Sequence, residues 1–380
     1  MKLLAAIAGL VLLFATLWDA FETIILPRRV TRSFRIVRVF YQVTWKFWAG
    51  ASKIFRSKKS RETHLSYYGP LSLLMLFATW ALLLMFTFAL LHWAAGSGIT
   101  MSGTASTFRT DLYMSGTTFF TLGLGDVTPR TSLARVITVA EAGMGFGFLA
   151  IVIAYLPTMY GAFSQRELNI SLLDARAGSP PTAAELLRRH SHFADNKVLT
   201  QYLRDWEIWS AQLMESHLSY PVLCYFRSQH DNQSWLAAFT AVLDVSALMI
   251  AYAKDEAKWQ AQLTFAISRH AVVDLCEVLR VRPANPSHDR LPPEDAAEVR
   301  DLLVKCGATG NCNEAGDLKL KQLREMYEPY LNGLSLRLLM PIPSWGVGAK
   351  FVENWKRSAW GKISSGPSGP GSSGRGSDHF

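Results

Sequence analysis

Between Leu71 and Leu91 the chain carries no charged residue. A helix of that length rises far enough to cross the roughly 30 Å of bilayer hydrocarbon, which takes about 20 residues. Two other stretches, from about Leu3 to Leu26 and from about Val136 to Tyr160, meet the same length. Apolar residues make up only 49% of the 380, so they are concentrated in these runs. The chain therefore divides into a membrane half, ending near residue 160, and a half composed like a soluble domain.

The net charge of +9 has one source. Residues 28–61 hold eleven Lys or Arg and no acid, and the rest of the chain is close to neutral. A basic block between two apolar segments follows from membrane topology and gives no reason to expect nucleic acid. It places 27–69 on the cytoplasmic side, the N-terminus outside, 95–130 outside, and the second half of the chain in the cytoplasm. The opening Met1-Lys2-Leu3-Leu4-Ala5-Ala6 also resembles a signal peptide. Cleavage there would leave the basic block outside, so the first helix is read as retained.

Residues 35–56 mix Arg38, Lys46 and Lys53 with Phe40, Trp45, Phe47 and Trp48. This pattern fits either a fourth span, which would put Lys58, Lys59 and Arg61 outside, or, preferred, an amphipathic helix lying in the inner interface with basic heads on anionic lipid. Asp19 and Glu22 sit three apart near the inner end of the first span, on one helix face. They are read either as modulatory contacts along an ion path or as structural partners of Arg28, Arg29 or Arg32.

Residues 109–126 lie between two spans yet are too short and too polar to form a third crossing. Such a segment survives at membrane depth only when protein or a water-filled cavity surrounds it. A short helix is predicted from about Thr110 to Phe120, capped by Thr110 or Ser106, with Asp111 near its positive end. Its negative end then points toward the membrane centre and favours a cation. The loop Thr121-Leu122-Gly123-Leu124-Gly125-Asp126 follows. Glycine tolerates positive φ, so alternating glycines allow successive carbonyls to face one axis. Stacked carbonyls replace the hydration shell of a monovalent cation. One chain supplies one wall, so several copies must surround the axis, and four is the number such filters use.

Residues 70–160 resemble the outer helix, pore helix, filter and inner helix of the potassium channel superfamily. The resemblance rests on Ser115-x-Thr117-Thr118-x-x-Thr121-x-Gly123-x-Gly125-Asp126, with Pro129 three residues on, as in bacterial two-helix members. It covers about a quarter of the chain. It implies a homotetramer in which K+ passes the backbone carbonyls of Thr121, Leu122, Gly123 and Leu124, with Gly125 closing the filter and Asp126 at its outer mouth. Thr117, Thr118, Phe120 and Glu141 would support the pore helix and filter. Leu124 stands where Tyr is usual, as in some two-pore-domain channels, Leu122 where Val is usual, and Phe120 where Thr is usual; the last two sit behind the filter in the family fold. These departures keep a nonselective cation pore open as an alternative. Gly145 falls at the family's inner-helix hinge. With Gly143 it is read as hinge or as close packing, and Pro157 as a kink near the inner mouth.

The second half reads as helical, with Thr182-Ala-Ala-Glu185 as a capping box and further helices at about 233–254, 256–281, 294–306 and 316–338. Trp235 to Tyr252 is apolar enough to consider as a span, but Asp244 interrupts it and a core helix is expected. Cys224, Cys276, Cys306 and Cys312 are expected to be reduced thiols. His190 and His192 with Glu185 are read as surface groups, with a metal or proton sensor as the other possibility. No Rossmann fingerprint, EF-hand loop or arginine-rich voltage-sensing helix occurs.

The expected architecture is an all-α membrane protein of the tetrameric pore-loop type in the cell membrane. Its parts are an N-terminal span (1–27), a basic segment (28–69), a pore domain (70–162), a helical cytoplasmic domain (163–362) and a Gly/Ser/Pro-rich disordered tail (363–380). No nucleophile–base or metal constellation appears, so neither enzymatic activity nor a cofactor is expected, K+ being the permeant ion. A membrane-anchored sensor or enzyme with a vestigial pore is the reading from another class. The sequence names no cytoplasmic regulator.

Overall fold

The computed structural model describes residues 1–26, 35–96, 98–100, 107–190, 196–230, 232–253, 255–305 and 313–346. Arg28, Arg29, Arg32, Ser106, His192, Cys306, Cys312 and the tail lie outside the described residues.

The membrane layer consists of α1 (Lys2–Ile24), α3 (Lys58–Ala95), the short α4 (Phe108–Phe119) and α5 (Ser132–Ala177). These are the three predicted spans and the predicted pore helix. α3 and α5 overrun their apolar stretches. α3 starts thirteen residues before Leu71, and α5 runs seventeen past Tyr160, passing through Pro157 without a break. α4 is capped by Thr107, between the two expected caps Ser106 and Thr110, and Thr110 reciprocates the bond to complete a capping box. A two-stranded antiparallel pair, β1 (Gly98–Thr100) with β2 (Val127–Pro129), ties the loop before α4 to the chain after the filter, with Ile99 opposite Thr128.

α2 (Ile36–Ala51) forms where an amphipathic helix is predicted; protein buries Trp45 and partly covers Phe40, Tyr41 and Trp48, while Phe47 stays exposed. Trp45 is fully packed, donates to the Arg337 carbonyl at 2.8 Å and sits 4.8 Å from the Tyr68 ring. Trp48 stacks on His64 at 4.5 Å. Amphipathic patterning is satisfied equally by lipid and by a protein face; here Trp45 and Trp48 take a protein face, and Val39, Val43 and Phe47 remain exposed.

The second half is helical throughout its described length: α6 (Ala183–His190), α7 (Asn196–Ser219), a 3-10 turn (Pro221–Tyr225), α8 (Trp235–Tyr252), α9 (Asp255–Leu279), α10 (Pro293–Lys305) and α11 (Glu314–Leu338). Four helices are long and apolar enough to cross a membrane, but α8 is buried along its whole length by its own domain. It is a core helix, as expected. Asp244, which interrupts its apolar run, meets Arg290 at 2.6 Å and accepts from Tyr327 at 2.6 Å. Each of these ends is specified locally. Ser234 caps α8 by accepting from Ala237, and Pro293 opens α10, where a missing N–H costs nothing. The capping box at α6 is only half made. Thr182 accepts from the Glu185 amide at 3.3 Å, but the Glu185 carboxylate turns to Arg188 and Arg189.

Candidate functional site: a filter loop on a braced pore helix

The pore helix α4 ends at Phe119, and its last carbonyls catch the loop that follows. The Thr117 oxygen accepts from the amides of Leu122 at 2.7 Å and Gly123 at 3.2 Å, while Thr118 accepts from Thr121 at 3.0 Å. From there φ is positive at every second residue: 59° at Thr121, 55° at Gly123 and 77° at Gly125. This is the alternation that the glycine spacing predicts. Two of the three positions hold glycine, where the left-handed region is free of a Cβ clash. Thr121 has no such freedom and stores roughly 1–2 kcal/mol.

Three supports hold this unit. First, the Phe119 carbonyl oxygen lies where a Cβ on Gly145 would come within 1.9 Å of it. Gly145 therefore lets the pore helix rest directly on α5. Gly143 and Gly147 have open space at the same position, so of the predicted hinge glycines Gly145 is a packing residue and Gly143 is not.

Second, Glu141 is fully buried behind α4. It is hydrogen-bonded to Ser115 on α4 and lies 3.1 Å from His92 Nε2 on α3. Ser115 also reaches the Met85 carbonyl at 2.8 Å. One side-chain cluster thus joins α3, α4 and α5. Asp111, one turn before Ser115 on α4, is buried in the field of His92, and neither carboxylate oxygen has a hydrogen-bond partner among the described residues. The sequence reading placed Glu141 against the pore helix. It missed His92, which looks like the polar end of an apolar run and has its partner 49 positions away.

Third, Asp126 accepts from the Val127 amide at 3.1 Å and is hydrogen-bonded to Tyr113 on α4. Thr117 bonds back to the Met114 carbonyl. Phe120, Leu122 and Leu124 leave 56%, 63% and 63% of their surface exposed, so the described residues cover less than half of each.

Asp19 and Glu22 make their contacts away from the filter. The two Asp19 oxygens accept from the amides of Ile36 and Val37 at 3.0 and 3.1 Å, and Oδ2 also accepts from Trp80. An acid in α1 thereby caps the first turn of α2, supplying the acceptors that a helix start needs. Glu22 meets Arg35 at 3.5 Å and accepts from Trp18 at 2.6 Å. Among the described residues the cation is Arg35, and both acids make structural contacts with the start of α2; Arg28, Arg29 and Arg32 lie outside the described residues.

Among the described residues, the candidates of the second half do not assemble. His190 bonds to its own helix at the Leu186 carbonyl, Glu185 is held by two arginines, and no metal-binding group of His, Cys, Asp and Glu occurs among the described residues. Burial pushes the Cys224 and Cys276 thiols up to about 12, so both stay protonated and unreactive.

Residues 73–161 match the family model described as "Ion channel". This stretch is an ion channel domain. It runs from α3 through the pore helix and filter loop to the membrane part of α5, which is the unit described above. The uncharacterized membrane protein YdjJ of Bacillus subtilis (strain 168) is 24% identical over 256 residues, or 67% of this chain and 73% of that protein. That alignment is longer than the channel domain, so the likeness takes in part of the remaining chain. No solved structure matches. The chain is accordingly a multi-pass membrane protein carrying a channel domain and a helical domain joined to it through α5.

Proposed function

We propose that the chain is one subunit of a homotetrameric, potassium-permeable channel whose filter is Thr121–Gly125. The observation that carries this reading is the alternating positive φ at Thr121, Gly123 and Gly125 directly after a short polar helix between two spans. The exposed apolar side chains of the filter loop support a tetramer, since neighbouring copies would cover them. Charge supports the orientation with the N-terminus outside and the helical domain in the cytoplasm: the basic residues of 35–61 fall between α1 and the uncharged run of α3, as the positive-inside bias favours.

The gating element is the 3-10 turn. Arg166, on the cytoplasmic part of α5, donates to the carbonyls of Leu223 at 2.9 Å and Phe226 at 3.0 Å. Val222, Leu223 and Phe226 then pack among Leu73 and Phe77 of α3 and Tyr155 and Met159 of α5. A movement of the cytoplasmic domain is passed to the inner end of the pore through this contact and through α5, with Pro157 between them.

Flux in liposomes tests the proposal. Reconstituted protein under opposed K+ and Na+ gradients should give a reversal potential near that of K+. A value near zero would instead select a nonselective pore on the same fold. Gly123→Val should assemble and conduct nothing, and retained flux from it would refute the filter assignment.

A further inference from the structure

A groove of about 490 Å³ opens where α2 meets the cytoplasmic domain. Gln42 forms one side; Arg280, Arg282, Leu336 and Arg337 form the other. No carboxylate lines it. Arg38, one turn before Gln42 on α2, is close enough for Arg280 to lower its pKa, behind the larger effect of burial and ahead of that of Arg35. Three arginines, Arg280, Arg282 and Arg337, thus line one opening, and Arg38 stands one turn from Gln42 on α2.

The depth of the groove follows from helix contacts. α2 runs antiparallel to α3: Trp48 meets His64, and Thr44 meets Tyr68 at 2.9 Å. The uncharged run of α3 begins at Leu71, three residues beyond Tyr68. On α2 the same level is reached near residues 41–42, since both helices rise about 1.5 Å per residue. Gln42 therefore stands where α3 enters the hydrocarbon, and the groove opens at the inner headgroup layer.

The arginine-bearing loop is set in advance. Arg280 ends α9 with φ of 52°, and its neighbour Val281 donates back to the Cys276 carbonyl at 2.8 Å. Glycine is the usual residue at such an end, and a larger side chain there costs roughly 1 kcal/mol. The loop beyond it is pinned to α11: Ala284 donates to the Pro329 carbonyl at 2.9 Å, and Asn332 donates to the carbonyls of Ala284 and Asn285 at 3.0 Å. An arginine held in a strained position on a fixed loop points to a use for its guanidinium. Guanidinium forks match phosphate oxygens, and a phosphodiester is the anion that the inner leaflet presents at this depth.

We propose that this groove binds the phosphate headgroup of an anionic inner-leaflet lipid, held by Arg38, Arg280, Arg282 and Arg337, and so fastens the cytoplasmic domain to α2. The inference rests on the membrane placement of α1 and α3 and is independent of conduction.

The test is lipid binding to the full chain in neutral detergent, titrated with short-chain phosphatidylglycerol or phosphatidylcholine and read by native mass spectrometry. Wild type should prefer phosphatidylglycerol. R280Q/R282Q should weaken that binding by roughly ten- to thirtyfold, as expected for two basic groups near an anionic surface. K58Q/K59Q, at the exposed cytoplasmic start of α3, should leave it unchanged. R280G separates site from fold, because it should raise Tm while weakening the same binding. Three results would overturn the proposal: phosphatidylglycerol binding by R280Q/R282Q within twofold of wild type, an equal loss in K58Q/K59Q, or displacement of the lipid by inorganic phosphate at equal concentration. The last would mark a site for a free anion.

Discussion

Gly145 and Gly143 are two positions apart on one helix and read alike in the sequence, yet their surroundings oppose each other. A Cβ at 145 would collide with the Phe119 backbone, which cannot move without shifting the filter loop hydrogen-bonded to α4. Gly145→Ala should therefore abolish flux and cost about 1–3 kcal/mol by overpacking. Gly143→Ala meets no atom within 4 Å. It should keep its flux and gain roughly 0.5–1 kcal/mol, the helix preference of Ala over Gly. Thermal melts and liposome flux on the two variants check the pair; equal behaviour would remove the role given to Gly145. Glu141→Ala should also cost about 1–3 kcal/mol, because it removes the buried carboxylate that His92 and Ser115 share. Its melt should fall while Glu22→Ala, at the α1–α2 contact, leaves flux intact. At this scale the sequence declared its acids, because a carboxylate within a span must have a reason. It could not declare their partners. Glu141 finds His92 and Asp19 finds the amides of α2 through tertiary contacts that no local spacing encodes.

Among the elements, helices were legible wherever the apolar period and a cap coincided. The starts of α8, α10 and α11 fall within two residues of expectation because Ser234, Pro293 and Asn313 mark them. α2 was legible as a helix and not as a packed one, since aromatics on one face suit lipid and protein equally. The junction element escaped notice because the turn at Pro221 reads only as a break, and its anchor, Arg166, precedes it by more than fifty residues. That anchor has a titratable neighbour. His217 is buried; its Nδ1–H donates to the Leu213 carbonyl at 2.9 Å, and its Nε2 accepts from Arg166 at 3.2 Å. Glu167 and Cys224 face the same guanidinium. Burial first and Arg166 second hold the His217 pKa well below the ordinary histidine range. The unfolded chain therefore binds more protons than the folded one below about pH 6.5. The stability due to neutral His217 is full above that pH and is lost as pH falls. Acidification from about pH 7.5 to about 5.5 should destabilise wild type by about 1 kcal/mol more than His217→Gln. Parallel thermal melts of the two proteins at both pH values measure it, and equal acid sensitivity would free His217 of that role.

Taken whole, the chain is finished on one side only. The apolar window of α8 is 100% buried within the protein, that of α3 50%, and that of α5 only 11%. Lipid alone would satisfy α5, but it cannot satisfy the filter loop. Backbone at membrane depth needs protein or a water-filled cavity around it, and Phe120, Leu122 and Leu124 are bare on the same side as that loop. Copies related by a closed rotation would cover the loop with the same surface that each of them exposes, and would set their carbonyls around a common axis. Native mass spectrometry of the full chain released from neutral detergent should accordingly give four copies. Leu122→Asp and Leu124→Asp, which charge the exposed face without touching the core of the chain, should shift the population toward monomer while the helical domain of the second half keeps its melt. A wild-type protein that stays monomeric at every detergent concentration would leave the filter with a single wall, and a single wall cannot replace the hydration shell of an ion.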